Sequence, residues 1–366
     1  LTDTTAGLAA WLRLALVPGI GPESQRALLT AFGLPEAVFA SGPRAVAGVI
    51  GDQPAATLFE SDNTAAIDIA LNWAEAPGNA IVTLADAEYP AALLQTADPP
   101  CLLYVKGRLE LLSKPSIAIV GSRNATAQGL ANAEAFARSL SAGGLAIVSG
   151  LALGIDAAAH RGGLDGGGGT VAFIGTGADR IYPARNAALA RRIAEEGAIV
   201  SEFPLGMPPL QHNFPKRNRL IAGVARGVIV VEAAQKSGSL ITARLAGEIG
   251  REVFAIPGSI HSPLSKGCHQ LIKQGAKLVD DAKDILDELS WGRRPDPVVA
   301  AEAVPEPELP EGDAAVLKAM GFDPVDTDVL CTRSKLTPEV LFDILLSLEL
   351  EGRVARLPGG RFQRLS

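Results

Sequence analysis

The chain has 366 residues, 48% of them hydrophobic, and a formal net charge of −7. That length allows two or three domains with a large core, and the charge excludes a uniformly basic nucleic-acid coat. Any polyanion site therefore has to be a local patch. The three cysteines, Cys101, Cys268 and Cys331, show no CxxC spacing and are predicted to be reduced, mostly buried thiols. The opening LTDTTAGLAAWLRL has no basic stretch ahead of an apolar run, and no apolar run approaches the roughly 20 residues of a membrane span. The expectation is a soluble, cytoplasmic protein.

Residues 1–75 read as a small helical domain. Helical patterns at Leu8–Val17 and Glu23–Phe32 flank the break Val17-Pro18-Gly19-Ile20-Gly21-Pro22. This resembles a helix-hairpin-helix motif, whose N–H groups touch a DNA phosphate. A plain packing hairpin is the competing reading, because Arg13 and Arg26 are the few cations nearby.

From about residue 80 the pattern changes. Short strands are expected at Ile81–Leu84 and Cys101–Val105. Apolar runs then recur at Ile117–Val120, Leu145–Val148, Val171–Ile174, Ala198–Val200, Val228–Val231 and Val253–Ile256. Alanine-rich helical stretches, such as Ala131–Ser141, Ala187–Glu196 and Thr242–Gly250, separate most of them. Strands buried on both faces and alternating with helices imply an α/β fold, a Rossmann-like, doubly wound, mostly parallel sheet over residues 76–292. A Pro-rich acidic linker is expected at 293–312 and a winged-helix domain at 313–366. The last fourteen residues carry four arginines and no acid, whereas the third helix of that domain is acidic (Glu339, Asp343, Glu349). DNA and protein both stay open as its partner.

Doubly wound sheets bind ligands beyond the carboxyl ends of their strands. After the first run stand Gly121-Ser122-Arg123, a turn with outward N–H groups and a guanidinium that can fork onto phosphate or enter an internal ion pair. The turn is not GxGxxG, and the second strand ends in Ser149-Gly150 rather than an acid, so no dinucleotide cofactor is expected. Gly150, Gly154, Asp156 and His160 follow the second run. Asp156 and His160 are four apart on one helix face, read as a helix cap with a hydrogen-bonded internal pair ahead of acid–base machinery. Gly175, Gly177 and Asn186 shape the turn after the third run. The stretch Phe214–Ala243 supplies an aromatic, the cluster Lys216-Arg217-Asn218-Arg219, and the loop Lys236-Ser237-Gly238-Ser239 opening a helix. A Gly/Ser turn at a helix N-terminus makes an anion site. Spacing for a metal site, a nucleophile elbow or a Walker loop is not seen, so neither metal, cofactor nor catalytic residue is expected.

Taken together, GSR (121–123), SGLALGIDAAAH (149–160), GTGADRIYPARN (175–186), SEFPLG (201–206), FPKRNRLIAG (214–223), SGSLITA (237–243), IPGS and GCHQLIKQGA (within 256–276) resemble the DNA-processing protein A family, also called Smf. The resemblance covers about 115–280, and the helical and winged-helix flanks fit its longer form. It implies a non-enzymatic, cytoplasmic, homodimeric protein that binds single-stranded DNA during natural transformation. Such a protein shields incoming strands and helps load RecA recombinase beside single-strand-binding protein. It also implies that Gly121, Ser122, Arg123, Phe214, Lys216, Arg217, Asn218, Arg219 and Lys236–Ser239 line the DNA pocket. Part of the dimer contact is expected at Gly267–Ala276. The alternative is an enzyme similar to phosphoribohydrolases of the lysine-decarboxylase-like group. Those carry PGGxGTxxE, whereas KSGSLITARLAGE here offers no carboxylate before Glu248.

Overall fold

The computed structural model describes residues 2–291, 310–321, 324–357 and 359–365. Of the linker expected at 293–312, residues 293–309 lie outside the described residues. Six helices come first: α1 (Thr2–Ala15), α2 (Pro22–Phe32), α3 (Pro35–Ala40), α4 (Pro43–Ile50), α5 (Asp52–Glu60) and α6 (Thr64–Ala74). Proline stands in the first turn of α2, α3 and α4, where its fixed φ suits the helix and its missing N–H costs nothing. Leu14, Leu28, Val38, Val46 and Leu58 form their common core. Trp11, Leu12 and Ala70 instead pack against Leu102 and Tyr104 of the following sheet, so the helical unit is seated on the sheet's edge.

That sheet is built from β1 (Asn79–Thr83), β2 (Leu102–Gly107), β3 (Ser116–Val120), β4 (Ala146–Ser149), β5 (Thr170–Phe173), β6 (Ala198–Ser201), β7 (Gly227–Val230), β8 (Glu252–Ala255) and β9 (Lys277–Leu278). Among the described residues the order is β1-β2-β6-β5-β4-β3-β7-β8-β9. All pairs from β6 to β9 are parallel, and β1 and β2 add antiparallel pairs at one edge. The connecting helices are α7 (Ala127–Ala142), α8 (Ile155–Asp165), α9 (Ala187–Glu196), α10 (Asn213–Val224), α11 (Gly238–Glu248), α12 (Lys266–Lys273) and α13 (Ala282–Glu288).

Alternation along β3 shows why the strands read as unbroken apolar runs. Ile117 and Ile119 pack under α7, α8 and α13, while Ala118 and Val120 pack under α10, α11 and α12. Both faces are covered, so each position is apolar. From β3 the chain winds through β4 and β5 to β6, then returns to place β7 on the other side of β3. The order reverses there, and a crevice opens beyond the carboxyl ends of β3 and β7, the topological switch point.

The C-terminal unit consists of α14 (Glu311–Met320), β10 (Val325–Asp326), α15 (Thr327–Ser334), α16 (Pro338–Leu350), β11 (Val354–Leu357) and β12 (Arg361–Arg364). Helix α14 starts at Glu311, inside the stretch expected as linker. Gly359 and Gly360, in the three-residue connection between β11 and β12, both take positive φ (84° and 74°), a region glycine enters without steric cost. The two-residue strand β10, not expected from sequence, pairs with β12 and completes a winged helix.

Candidate nucleic-acid interface

A cavity of about 430 Å³ occupies the switch point. Gly121, Ser122 and Arg123 line it after β3, Phe214, Arg217 and Asn218 from α10, and Lys236–Ser239 at the start of α11. The Ser237 hydroxyl caps α11, accepting from Ser239 N at 3.3 Å, and meets the Ser239 hydroxyl at 2.7 Å. The N-terminus of α11 thus faces the cavity, presenting main-chain donors and the positive end of its dipole.

Arg123 and Lys236 are exposed on the rim, and among the described residues neither side chain makes a hydrogen bond or ion pair. The internal ion pair considered for Arg123 is therefore not formed. Its guanidinium carbon instead stands 5.8 Å from the centre of the Phe214 ring. The Arg123 loop is held from across the switch point by Glu232, which follows β7. Its carboxylate accepts from Thr126 N at 2.9 Å and Thr126 Oγ1 at 2.6 Å, while Thr126 caps α7.

The floor is polar and buried. Arg217 is 4% exposed and donates through Nη1 to Gly150 O at 2.5 Å and to Phe173 O. Burial draws its guanidinium down to about 10, with Asp156 opposing, so it is a cation at neutral pH. Asp156 accepts from Gly150 N (3.1 Å) and Ala152 N (3.3 Å). Its carboxyl is pushed up by burial, against the pull of Arg217 and these two donors. A side chain at Gly150 would place its Cβ 2.3 Å from Arg217 Nη1. At Gly154 the φ of +79° and a would-be contact of 2.2 Å with Ser122 O both demand glycine. Gly175 and Gly177 leave room for the Phe214 ring and for the Asp179 carboxylate, and Asn186 donates to Leu151 O and Ala152 O.

His160 lies behind the cavity, fully buried. Its Nε2 accepts from Leu151 N at 3.2 Å and its Nδ1 meets Thr170 Oγ1 at 2.7 Å. That hydroxyl donates to Ile147 O, which assigns the proton to Nδ1 of a neutral ring. Asp156 and His160 therefore each support the 150–152 turn and do not bond one another. Burial, helped by Arg217 and Arg161, lowers His160 to about 3. The unfolded chain takes up this proton near pH 6.5, so the His160 contribution is complete above 6.5 and fades as pH falls toward 3. At about 1.4 kcal/mol per pH unit, moving from pH 6.5 to 5 costs about 2 kcal/mol. Glu202 has the opposite sign, since burial raises it to about 7 and its contribution fades as pH rises through that range. Subtracting the stability–pH curve of His160→Gln from that of wild type cancels Glu202. The difference falls on acidification if His160 is neutral as described.

The basic cluster of α10 does not act as one group. Phe214, Arg217, Asn218 and Ile221 recur at helical spacing and share the cavity face. Lys216 and Arg219 line a separate cavity of about 470 Å³ between the Gly19–Pro22 hairpin and the end of β6. Arg219 is spent there on Asp98, whose carboxylate lies 3.0 Å from its Nε, and on Glu202. Grouping Lys216 and Arg219 with the pocket is thus corrected by the pitch of α10. At the hairpin, Arg13 covers the Phe39 ring at 4.0 Å and Arg26 donates to Thr96 O, so both cations are engaged internally. Glu232 and Tyr182, whose ring centre is 5.7 Å from that of Phe214, stand beside the cavity and were not among the residues expected at the site. The acid closing the VIVVE run was a signal for the first. Tyr182 lies within the GTGADRIYPARN motif, but it stands 32 positions from Phe214 and the motif does not show that the two rings meet.

Comparison with known proteins agrees with this geometry. Residues 80–290 match the family model described as DNA recombination-mediator protein A, and residues 300–360 match the DprA winged helix domain. Protein Smf of Escherichia coli is 44% identical over 306 residues, 80% of either chain. DNA processing protein DprA of Streptococcus pneumoniae is 50% identical over 209 residues, 57% of this chain and 74% of that protein. The X-ray structure of the S. pneumoniae protein superposes with a TM-score of 0.69 at 40% identity, covering 76% of this chain and 97% of that one. A structure of DNA processing protein A from Helicobacter pylori, reported for its single-stranded DNA binding mode, gives 0.53 at 32% identity over 57% and 95% of the two chains. Family model, relatives and fold coincide, and the chain belongs to the DNA recombination-mediator protein A family.

Proposed function

We propose that the switch-point cavity binds single-stranded DNA and that the protein mediates recombination of incoming strands. The observation carrying this reading is the pairing of rim cations that make no hydrogen bond or ion pair among the described residues, Arg123 and Lys236, with the Phe214 ring and the N-terminus of α11. Cations and N–H groups follow phosphates, and an aromatic face stacks on any base, so sequence preference is weak. The single-stranded DNA binding mode reported for the H. pylori relative supports the same ligand class.

In this reading the protein is not an enzyme. Glu248 closes α11, ten residues and about 15 Å beyond Gly238, too far to serve chemistry at the loop. Asp156, the carboxyl in the cavity wall, accepts from two main-chain donors through Oδ2 and serves the 150–152 turn. The DNA is passed to RecA recombinase, beside or in place of single-strand-binding protein, in the cytoplasm. Among the described residues no helix is long and apolar enough to cross a membrane. A homodimer extends the track, using the groove between α11 and α12 that Gln270, Leu271, Gln274, Gly275, Ala276 and exposed Ile241 line. The winged helix faces protein, since α16 presents Glu339 and Asp343 beside exposed Phe342, Leu346 and Leu350.

A mobility-shift titration of single-stranded and duplex oligonucleotides, with and without RecA, tests the reading. Single strands are expected to bind at least tenfold more tightly, with affinity falling steeply with salt at a log–log slope of about −0.7 per phosphate neutralised. RecA should assemble faster on the protein-bound strand. Equal affinity for duplex, or a salt-independent complex, contradicts it.

A further inference from the structure

The loop Asp179–Asn186, which follows β5, passes beside the Phe214 ring and is fixed at both ends. Thr176 Oγ1 donates to Arg180 O at 3.0 Å, and the Asp179 carboxylate accepts from Gly206 N at 2.8 Å. At the other end the Asn186 amide donates to Leu151 O at 2.9 Å and Ala152 O at 3.1 Å. Between these anchors Arg180, Ile181, Tyr182 and Arg185 are all exposed, Tyr182 by 47%. Among the described residues the side chains of Arg180 and Arg185 make no hydrogen bond or ion pair. The Tyr182 and Phe214 ring centres are 5.7 Å apart and their planes are inclined by 38°. That tilt leaves no parallel slot for a base between them, so the rings form two adjoining panels of one surface. Arg123 also stands near the Phe214 ring. Aromatic panels flanked by free cations are the parts from which sequence-tolerant single-strand tracks are made.

We propose that the single-strand track continues from the switch-point cavity across Phe214 onto this loop. Tyr182 stacks a further base, and Arg180 and Arg185 take the adjoining phosphates. The inference rests on the cavity being a DNA site, so the test separates the two.

Fluorescein-labelled oligothymidylates of increasing length are titrated against the full chain and its variants by anisotropy. Tyr182→Ala is expected to weaken binding of the longer oligonucleotides about fivefold or more, leaving the shortest ones that still bind unaffected. Arg180→Ala combined with Arg185→Ala lowers the salt slope by about 1.4, two phosphates' worth. Tyr182→Phe and Tyr182→Leu both keep the apolar cover, so their comparison reads stacking rather than folding. Phe keeps wild-type affinity and Leu loses it if the ring stacks; equal affinities overturn the proposal. Unchanged affinity of the Tyr182 and arginine variants at every length, with Phe214→Ala still weak, overturns the extension and leaves the cavity standing. Unchanged affinity of Phe214→Ala as well removes both.

Discussion

Replacing Arg217 by methionine is expected to destabilise the α/β unit by about 3–5 kcal/mol, the usual cost of removing one partner from a buried charged network. The main-chain carbonyls of Gly150 and Phe173 lose their shared donor, and Asp156 loses the cation beside it. For a unit of this size the melting temperature should fall by roughly 6–20 °C. Lysine does not rescue, because one ammonium on a flexible stem cannot reproduce the guanidinium's spread of donors. Affinity for DNA falls with the fold, since the 150–152 turn and the cavity floor loosen together. A residue that only held phosphate would behave otherwise, losing affinity while the melting curve stayed put. Calorimetry of Arg217→Met beside Arg123→Ala therefore assigns the two arginines. A melting temperature within a degree of wild type for Arg217→Met would return it to the DNA-contacting set.

The strands were legible because burial on both faces leaves no polar position to interrupt them, as in Ile117–Val120 and Val228–Val231. Their carboxyl ends followed from the doubly wound pattern, and that located Gly121–Arg123 and Lys236–Ser239 before any coordinates. Helix α10 was not legible. The face it buries begins with Asn213 and Arg217, which break the apolar period, and Pro215 sits in its first turn. Read linearly, Lys216, Arg217 and Arg219 form one patch. Wound at about 100° per residue, they point to a second cavity, into the floor, and to the second cavity again. Strands β9 and β10 are two residues long and leave no periodicity to detect. The ring pair Phe214–Tyr182 depends on how the loop after β5 meets the first turn of α10, which no local pattern encodes.

Phe214 and Arg123 are the residues on which DNA affinity should depend most. Phe214 is partly exposed, and its loss costs one stacked base, worth about 1–3 kcal/mol, or roughly 5- to 150-fold in affinity. Arg123 is exposed and makes no ion pair among the described residues, so its phosphate contact carries little desolvation cost and adds about 1.5–3 kcal/mol as a charged hydrogen bond. The guanidinium stands near the ring, so the two losses are coupled and the double variant falls short of their sum. Neither side chain supports the core, and both single variants should melt within about 2 °C of wild type. The most direct measurement is an anisotropy titration of a labelled oligothymidylate with wild type, Phe214→Ala, Arg123→Ala and the double variant of the full chain. With the switch-point cavity as the DNA site, each single variant binds at least fivefold more weakly and the double variant at least tenfold, all with wild-type melting curves. Wild-type affinity in the folded double variant would place the DNA elsewhere on the molecule.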